Sequence, residues 1–220
     1  MIVIQQFFHY DTSTLSYVVF DDKTRDAVVI DPVMDYDASS SVVSEKSFQQ
    51  IIEFITERKL HVHCILETHA HADHLSGAQV LKRAWPQAEL VIGAGIRKVQ
   101  QTFIPILGEL PDIDTCFDRW VEDGAEFSAG ALSVHALATP GHTPACVSYR
   151  IADALFVGDT LFMPDSGTGR CDFPGGSAAA LFHSVKRIYA LSQPMRIFVG
   201  HDYQPGGRTL AFQTTIADQR

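Results

Sequence analysis

Blocks of apolar residues, broken by short polar turns, run along most of the chain. Residues 15–20 and 27–30 are apolar and rich in β-branched types, and Asp21-Asp22-Lys23 separates them. This predicts two strands joined by a turn, the second ending at Asp31-Pro32. Residues 34–44 are polar and serine-rich and read as a connection. From Ser47 the spacing changes. Phe48, Ile51, Ile52 and Ile55 recur at helical intervals, with Glu53, Glu57, Arg58 and Lys59 on the opposite side. Ser47 with Gln50 resembles a capping box, so a helix is predicted to start there. Residues 61–66 return to a strand, residues 75–85 to a helix ending before Pro86, 89–92 to a short strand and 96–103 to a helix. Residues 104–117 are irregular and read as a surface loop, or as a flap near the site.

The second half repeats this pattern. Asp123-Gly124 precedes a hairpin of residues 125–127 and 132–138, turning at Gly130. A second hairpin, residues 146–151 and 155–157, turns at Ala152-Asp153. A glycine-rich loop over 164–176 leads into a helix over 177–191. A last strand over 196–199 follows, and the C-terminal residues read as a helix. Strands alternating with helices predict an α/β layered fold. With no linker or composition break, residues 1–220 are expected to form one domain of two β-then-α halves.

The chemistry sits where strands stop. Thr68-His69-Ala70-His71-Ala72-Asp73-His74 follows the strand over 61–66. Neutral imidazole and carboxylate are the donors that a divalent transition metal takes. Polar turns with His142, Asp159 and His201 end three other strands. Layered α/β folds collect their chemistry at one edge, where strand ends meet loops, so these residues are expected to converge there. Asp31, also at a strand end, either hydrogen-bonds a ligand histidine or is a plain turn aspartate. His9, His61, His63, His135 and His183 lie outside these motifs and are read as surface or packed residues.

Composition narrows the partners. A formal net charge of −9 over 220 residues argues against a nucleic-acid or anionic-membrane surface, and an anionic substrate would need a local cation. No apolar stretch has the length of a membrane span, and the start lacks the pattern of a signal peptide. Cys64, Cys116, Cys146 and Cys171 are scattered, which fits a reducing cytoplasm better than a disulfide framework.

In motif order the chain resembles the metallo-β-lactamase superfamily. The matching residues are Thr68 to His74 (T-H-x-H-x-D-H), Pro140-Gly141-His142-Thr143, Gly158-Asp159 and Gly200-His201-Asp202. The resemblance implies an αβ/βα four-layer sandwich, two mixed sheets flanked by helices with the metal at one rim. The stretches from Gly167 to Gly176 and from His201 to Arg208 are similar to the persulfide dioxygenase branch, which oxidises glutathione persulfide with O2 to sulfite and glutathione. The alternative is glyoxalase II, a thioester hydrolase with the same ligand order. Thr168 and Cys171 depart from some dioxygenase relatives, which carry Cys and Thr there. Relatives also tend to continue further at the C-terminus, so an extension is expected to be missing here.

The two branches imply different ligand sets. For the dioxygenase, one Fe(II) per chain is held by His69, His142 and Asp159, and three positions are left for substrate sulfur, O2 and water. His71, Asp73, His74 and His201 then orient ligands, with Asp73, His74 and Tyr203 expected to serve catalysis. For the hydrolase, two Zn(II) ions are held, one by His69, His71, His142 and Asp159 and the other by Asp73, His74, His201 and the bridging Asp159. Arg170 is expected to hold a substrate carboxylate or to pair with Asp172 or Asp159. Tyr203 is expected to donate to substrate, and Arg208, at the start of the C-terminal helix, to add positive charge. Relatives commonly dimerise, so a homodimer is expected, with Phe7-Phe8 a candidate packing surface.

Overall fold

A computed structural model describes residues 1–107 and 115–220. Two six-stranded mixed sheets face each other. The first takes β1 (Ile2–His9), β2 (Thr14–Asp21), β3 (Asp26–Ile30), β6 (His61–Glu67), β8 (Glu89–Gly93) and β9 (Arg119–Val121) in that spatial order. Its first three strands pair antiparallel and the remainder parallel. The second takes β10 (Glu126–Ala129), β11 (Leu132–Ala138), β12 (Val147–Ile151), β13 (Ala154–Phe156), β14 (Arg196–Phe198) and β15 (Gln213–Thr215). All its pairings are antiparallel except β13 with β14.

The apolar runs of the sequence explain the layering. In β2, Tyr17 and Val19 face the second sheet and join a core with Leu66, Val134, Tyr149 and Phe156. The alternate residues Val18 and Phe20 face outward, where Phe48, Ile51 and Ile55 of α1 (Lys46–Glu57) and Leu81 of α2 (Ala78–Ala84) cover them. A strand buried on both faces must be apolar at every position, which is why period-2 alternation is weak here. α3 (Ile96–Leu107) packs Ile96 on Ile92 and Ala145, and α4 (Ala178–Tyr189) buries Leu181 and Ile188. The four-layer sandwich implied by the motifs is the observed fold.

Several local expectations change. The connection over 34–44 is a hairpin, β4 (Val33–Asp37) and β5 (Val42–Ser44), and β4 pairs on its other side with β7 (Leu75–Ser76). The helix predicted over 75–85 therefore starts after Gly77. Ser47 does not cap α1 through a box with Gln50. Instead Asp35 of β4 accepts from the Ser47 backbone N–H at 2.8 Å and from its hydroxyl at 2.6 Å, so a residue remote in sequence satisfies the helix end. α3 runs on to Leu107 with Pro105 in its last turn, so 104–107 are helical. Of the rest of the predicted loop, residues 108–114 lie outside the described residues and 115–117 are irregular up to β9. The C-terminal helix is replaced by β15, which pairs with β14 and buries Thr214. Phe7, expected as a partner surface, packs edge-on against Phe54 of α1, their ring centroids 5.6 Å apart. No described helix is long and apolar enough to cross a membrane.

Bonds between the sheets draw the site together at one rim. The Tyr17 hydroxyl donates to the Val199 carbonyl at 2.6 Å, and the Tyr149 hydroxyl to that of Glu67 at 3.1 Å. The Val147 N–H donates to the Thr68 carbonyl at 2.9 Å, and Thr14 bridges to His201.

Candidate metal centre

The site forms where β6, β11, β13 and β14 end. Six of the seven sequence-predicted ligands have buried side chains, and Asp73 is half exposed. Asp159 Oδ2 lies 3.6 Å from His142 Nε2 and 3.9 Å from His69 Nε2, and these three residues each offer a ligand atom within 4.8 Å of the others. Asp159 Oδ1 and His201 Nε2 are 3.4 Å apart, as are His201 Nε2 and Asp73 Oδ2. His71, Asp73 and His74 form a second convergent group within the same 4.8 Å limit.

Each imidazole is held by one nitrogen, leaving the other for the centre. Asp31, in a left-handed backbone conformation, accepts from both the Thr68 N–H and its hydroxyl at 2.7 Å. The Thr68 oxygen, committed as donor to Asp31, accepts from His69 Nδ1 at 2.9 Å. This leaves the Nε2 lone pair of His69 free. His142 Nδ1 donates to the Arg170 carbonyl at 2.6 Å, again freeing Nε2. His201 Nδ1 lies 3.3 Å from the Thr12 carbonyl, and His71 Nε2 lies 3.0 Å from Glu67 and 3.3 Å from Asp31. His74 Nδ1 meets Asp73 at 3.1 Å. Asp31 thus takes the hydrogen-bonding role, and the turn-only reading falls. Gly158 has φ of +50°, and a Cβ there would collide with Thr68, so only glycine lets Asp159 sit this close to His69.

What the bonds leave over tests whether a metal fits. Of the five buried side-chain atoms without a hydrogen-bond partner among the described residues, four lie in this site: His69 Nε2, His71 Nδ1, His74 Nε2 and Asp159 Oδ1. Stranding four polar atoms in one pocket is costly unless something coordinates them. Nitrogen lone pairs with carboxylate oxygen are a transition-metal donor set, so a metal cofactor fits.

Electrostatics agree with an inward lone pair at His69 and favour the protonated ring at His71. Burial, then repulsion from neighbouring histidines, holds His69 well below the usual imidazole range, so it stays neutral. Burial also works to lower His71, but the Asp31 and Glu67 carboxylates outweigh it and raise it well above that range. Asp73 is opposed by burial, yet the His74 hydrogen bond and nearby imidazoles hold its carboxyl low.

The predicted substrate residues fare differently. A cleft of about 490 Å³ lies over the centre, lined by Asp73, His142, Asp159, Arg170, Phe173 and Tyr203 among others. The Tyr203 ring stacks on His201 at 5.5 Å, and burial followed by the Asp159 and Asp73 charges pushes its phenol up to about 12. The Arg170 side chain is exposed and bound through two 2.6 Å bonds to Asp172, away from Asp159. Arg208 begins no helix. It spans Asp165 and Asp202 with bonds of 2.6 to 2.9 Å, a brace between two loops rather than an open cation. Glu67 and Thr12, which hold His71 and His201, were not singled out in the sequence. Glu67 had a signal, an acidic residue closing an apolar strand; Thr12 had none.

A family model described as the metallo-beta-lactamase superfamily matches residues 9–201. The chain is 44% identical over 221 residues to "Glyoxylase B2" of Dictyostelium discoideum, covering 99% of this chain and 76% of that one. It is 31% identical over 223 residues to "Persulfide dioxygenase ETHE1, mitochondrial" of Bos taurus, covering 100% and 74%. The crystal structure of ETHE1 from Myxococcus xanthus superposes with a TM-score of 0.77 at 29% identity, covering 99% of this chain and 81% of that one. The matched span takes in every residue of the converging cluster, from His69 to His201, and on fold, site and similarity together the chain belongs to the metallo-β-lactamase superfamily.

Proposed function

We propose that this chain is an iron-dependent persulfide dioxygenase. In that reaction a persulfide, O2 and water give the thiol and sulfite with release of two protons, and four electrons pass from the outer sulfur to O2. The observation that carries the reading is the convergence of His69 Nε2, His142 Nε2 and an Asp159 oxygen, a two-histidine, one-carboxylate face. Similarity to the ETHE1 relatives supports it. Fe(II) held there would supply the redox chemistry toward O2 that zinc lacks.

The chain's own residues do the rest. His69, His142 and Asp159 hold the ion. Thr68 and the Arg170 carbonyl keep both imidazoles in the ligating tautomer. Asp73, His74 and His201 pair with one another beside it and order water at the rim. Tyr203, protonated at neutral pH, donates a hydrogen bond toward the substrate sulfur. Glutathione persulfide is the substrate that the motif resemblance implies, and among the described residues Arg170 is the arginine that lines the cleft.

A second reading is a binuclear zinc hydrolase of glutathione thioesters. Two observations favour it: the unpartnered His71 Nδ1 and His74 Nε2 converge with Asp73, and the relative at 44% identity is named Glyoxylase B2. O2 consumption and sulfite release by iron-reconstituted protein given glutathione persulfide decide between them. Matched O2 loss and sulfite gain are expected. Absence of both, with hydrolysis of S-lactoylglutathione by zinc-loaded protein, would overturn the proposal in favour of the hydrolase.

A further inference from the structure

His9, which lies outside the metal-binding motifs, is buried, and both of its ring nitrogens have partners. It closes β1, and the turn that follows carries Thr12 into β2, which starts at Thr14. His9 Nδ1 lies 2.8 Å from the Thr12 hydroxyl, which lies 2.7 Å from the Thr14 hydroxyl. The Thr14 hydroxyl lies 3.4 Å from Nδ1 of His201. On the other side of the ring, His9 Nε2 lies 3.3 Å from Asp35 Oδ1. An unbroken line of hydrogen-bonding groups thus runs from Asp35, on β4, to His201 at the metal centre. Backbone bonds hold the same turn against that strand end: the Asp202 N–H donates to the Ser13 carbonyl at 3.1 Å, and the Leu15 N–H to that of Gly200 at 2.8 Å.

The line has a direction, set at the Asp35 end. Burial opposes the Asp35 charge, but bonds from Ser47 and His9 outweigh it and hold the carboxyl below its ordinary range. Asp35 therefore accepts, and His9 carries a proton on Nε2. With that ring neutral, Nδ1 accepts from the Thr12 hydroxyl, whose oxygen is left to accept from Thr14. The Thr14 oxygen then accepts from His201 Nδ1, and the Thr12 carbonyl, which can only accept, lies 3.3 Å from the same nitrogen. The pull on the far side of the His201 ring is opposite. Asp159 Oδ1 and Asp73 Oδ2 each lie 3.4 Å from Nε2 and favour a proton there. Without His9, Thr12 is free to donate to Thr14 and Thr14 to His201 Nδ1, which puts the His201 proton on Nε2.

We infer that His9 is a positioning residue of the metal centre: through Thr12 and Thr14 it holds His201 with its proton on Nδ1 and its lone pair on Nε2, the nitrogen that faces Asp159 and Asp73. His201 serves the centre in both readings above, as a ligand or as a neighbour that orders water, so the inference goes beyond the choice between them.

The test reads the tautomer directly. Metal-free protein with isotope-labelled histidine nitrogens is compared as wild type, His9→Phe and His9→Gln by long-range proton–nitrogen correlation, the His201 signals being identified by their loss in His201→Gln. In wild type, His201 is expected as the Nδ1–H tautomer. His9→Phe, which keeps the bulk of the ring and removes both bonds, should convert it to Nε2–H. His9→Gln, which keeps an acceptor and a donor, should restore Nδ1–H, a rescue that packing alone does not produce. Iron-loaded His9→Phe should also lose about tenfold in kcat, the lower end of the range for groups that orient a ligating imidazole, with KM little changed. Should His9→Phe fail to fold, Thr12→Val cuts the line at the hydroxyl, keeps the backbone carbonyl and must give the same conversion. A wild-type His201 with its proton on Nε2, a tautomer unmoved in the folded variant, or a converted tautomer with unchanged kcat would each overturn the inference. If wild type turns over no persulfide, the dioxygenase reading fails by itself and the tautomer alone decides.

Discussion

His71 Nε2 lies 3.0 Å from Glu67 Oε2 at the end of β6, with both side chains buried. The contact leaves Nδ1 of His71 as the ring nitrogen without a hydrogen-bond partner. The Ser76 hydroxyl donates to the other Glu67 oxygen, so the carboxylate is itself held. A carboxylate that orients a ligating imidazole typically changes metal affinity by about 10–100-fold. Glu67→Ala is therefore expected to weaken metal binding by about that factor, measured by chelator competition. An unchanged affinity would mean that Asp31, 3.3 Å away, orients His71 alone.

Asp159 and Asp73 stand on opposite sides of the question of one ion or two. Asp159 touches the His69–His142 pair and also His201, whereas Asp73 touches His74 and His201. Asp159→Ala should abolish both metal content and activity. Asp73→Ala should leave about one iron per chain, by elemental analysis, while slowing O2 uptake. Loss of bound metal from Asp73→Ala would instead point to a shared two-ion site.

Arg208 ties Asp202, whose side chain is fully buried, to the exposed Asp165. Breaking a fully buried pair costs about 3–5 kcal/mol, and Arg208 is a quarter exposed, so Arg208→Met should cost about 2 kcal/mol. For a chain of this size the melting temperature should fall by roughly 4–8 °C. Burial opposes ionisation of Asp202, but bonds from Arg208 and the backbone outweigh it and hold its carboxyl low. A carboxyl lowered on folding stabilises above its unfolded value, near pH 4, and loses that contribution as pH falls through the folded value. The gap between wild type and variant should thus be full at neutral pH and close under acid, as followed by thermal melts. A gap that persists below both values would assign the effect to packing.

Much of the sandwich was legible because its central strands are buried on both faces. Residues 15–20, 27–30 and 61–66 read as strands without any knowledge of their partners. Edge elements were not legible. β4, β5 and β15 are short, and each is defined by pairing rather than by its own pattern. The C-terminal segment reads as helix locally, but β14 offers an open edge, and burying Thr214 and Ile216 there outweighs local preference. Ser47 was misread for a related reason: its helix end is satisfied by Asp35, which lies 12 residues earlier.

The sequence by itself determined the donor set. Histidine and aspartate at four strand ends admit few chemistries, because little besides a metal accepts that many neutral imidazoles at one point. Only the tertiary structure decided which nitrogen of each histidine faces inward, since the partners are a carbonyl of Arg170, a hydroxyl of Thr68 and a carboxylate of Glu67. It also decided that Arg208 braces two loops. Ligand identity is a property of side-chain chemistry and can be read along the chain. Tautomer, ion pairing and cavity shape depend on groups distant in sequence, and exist only once the sheets have packed.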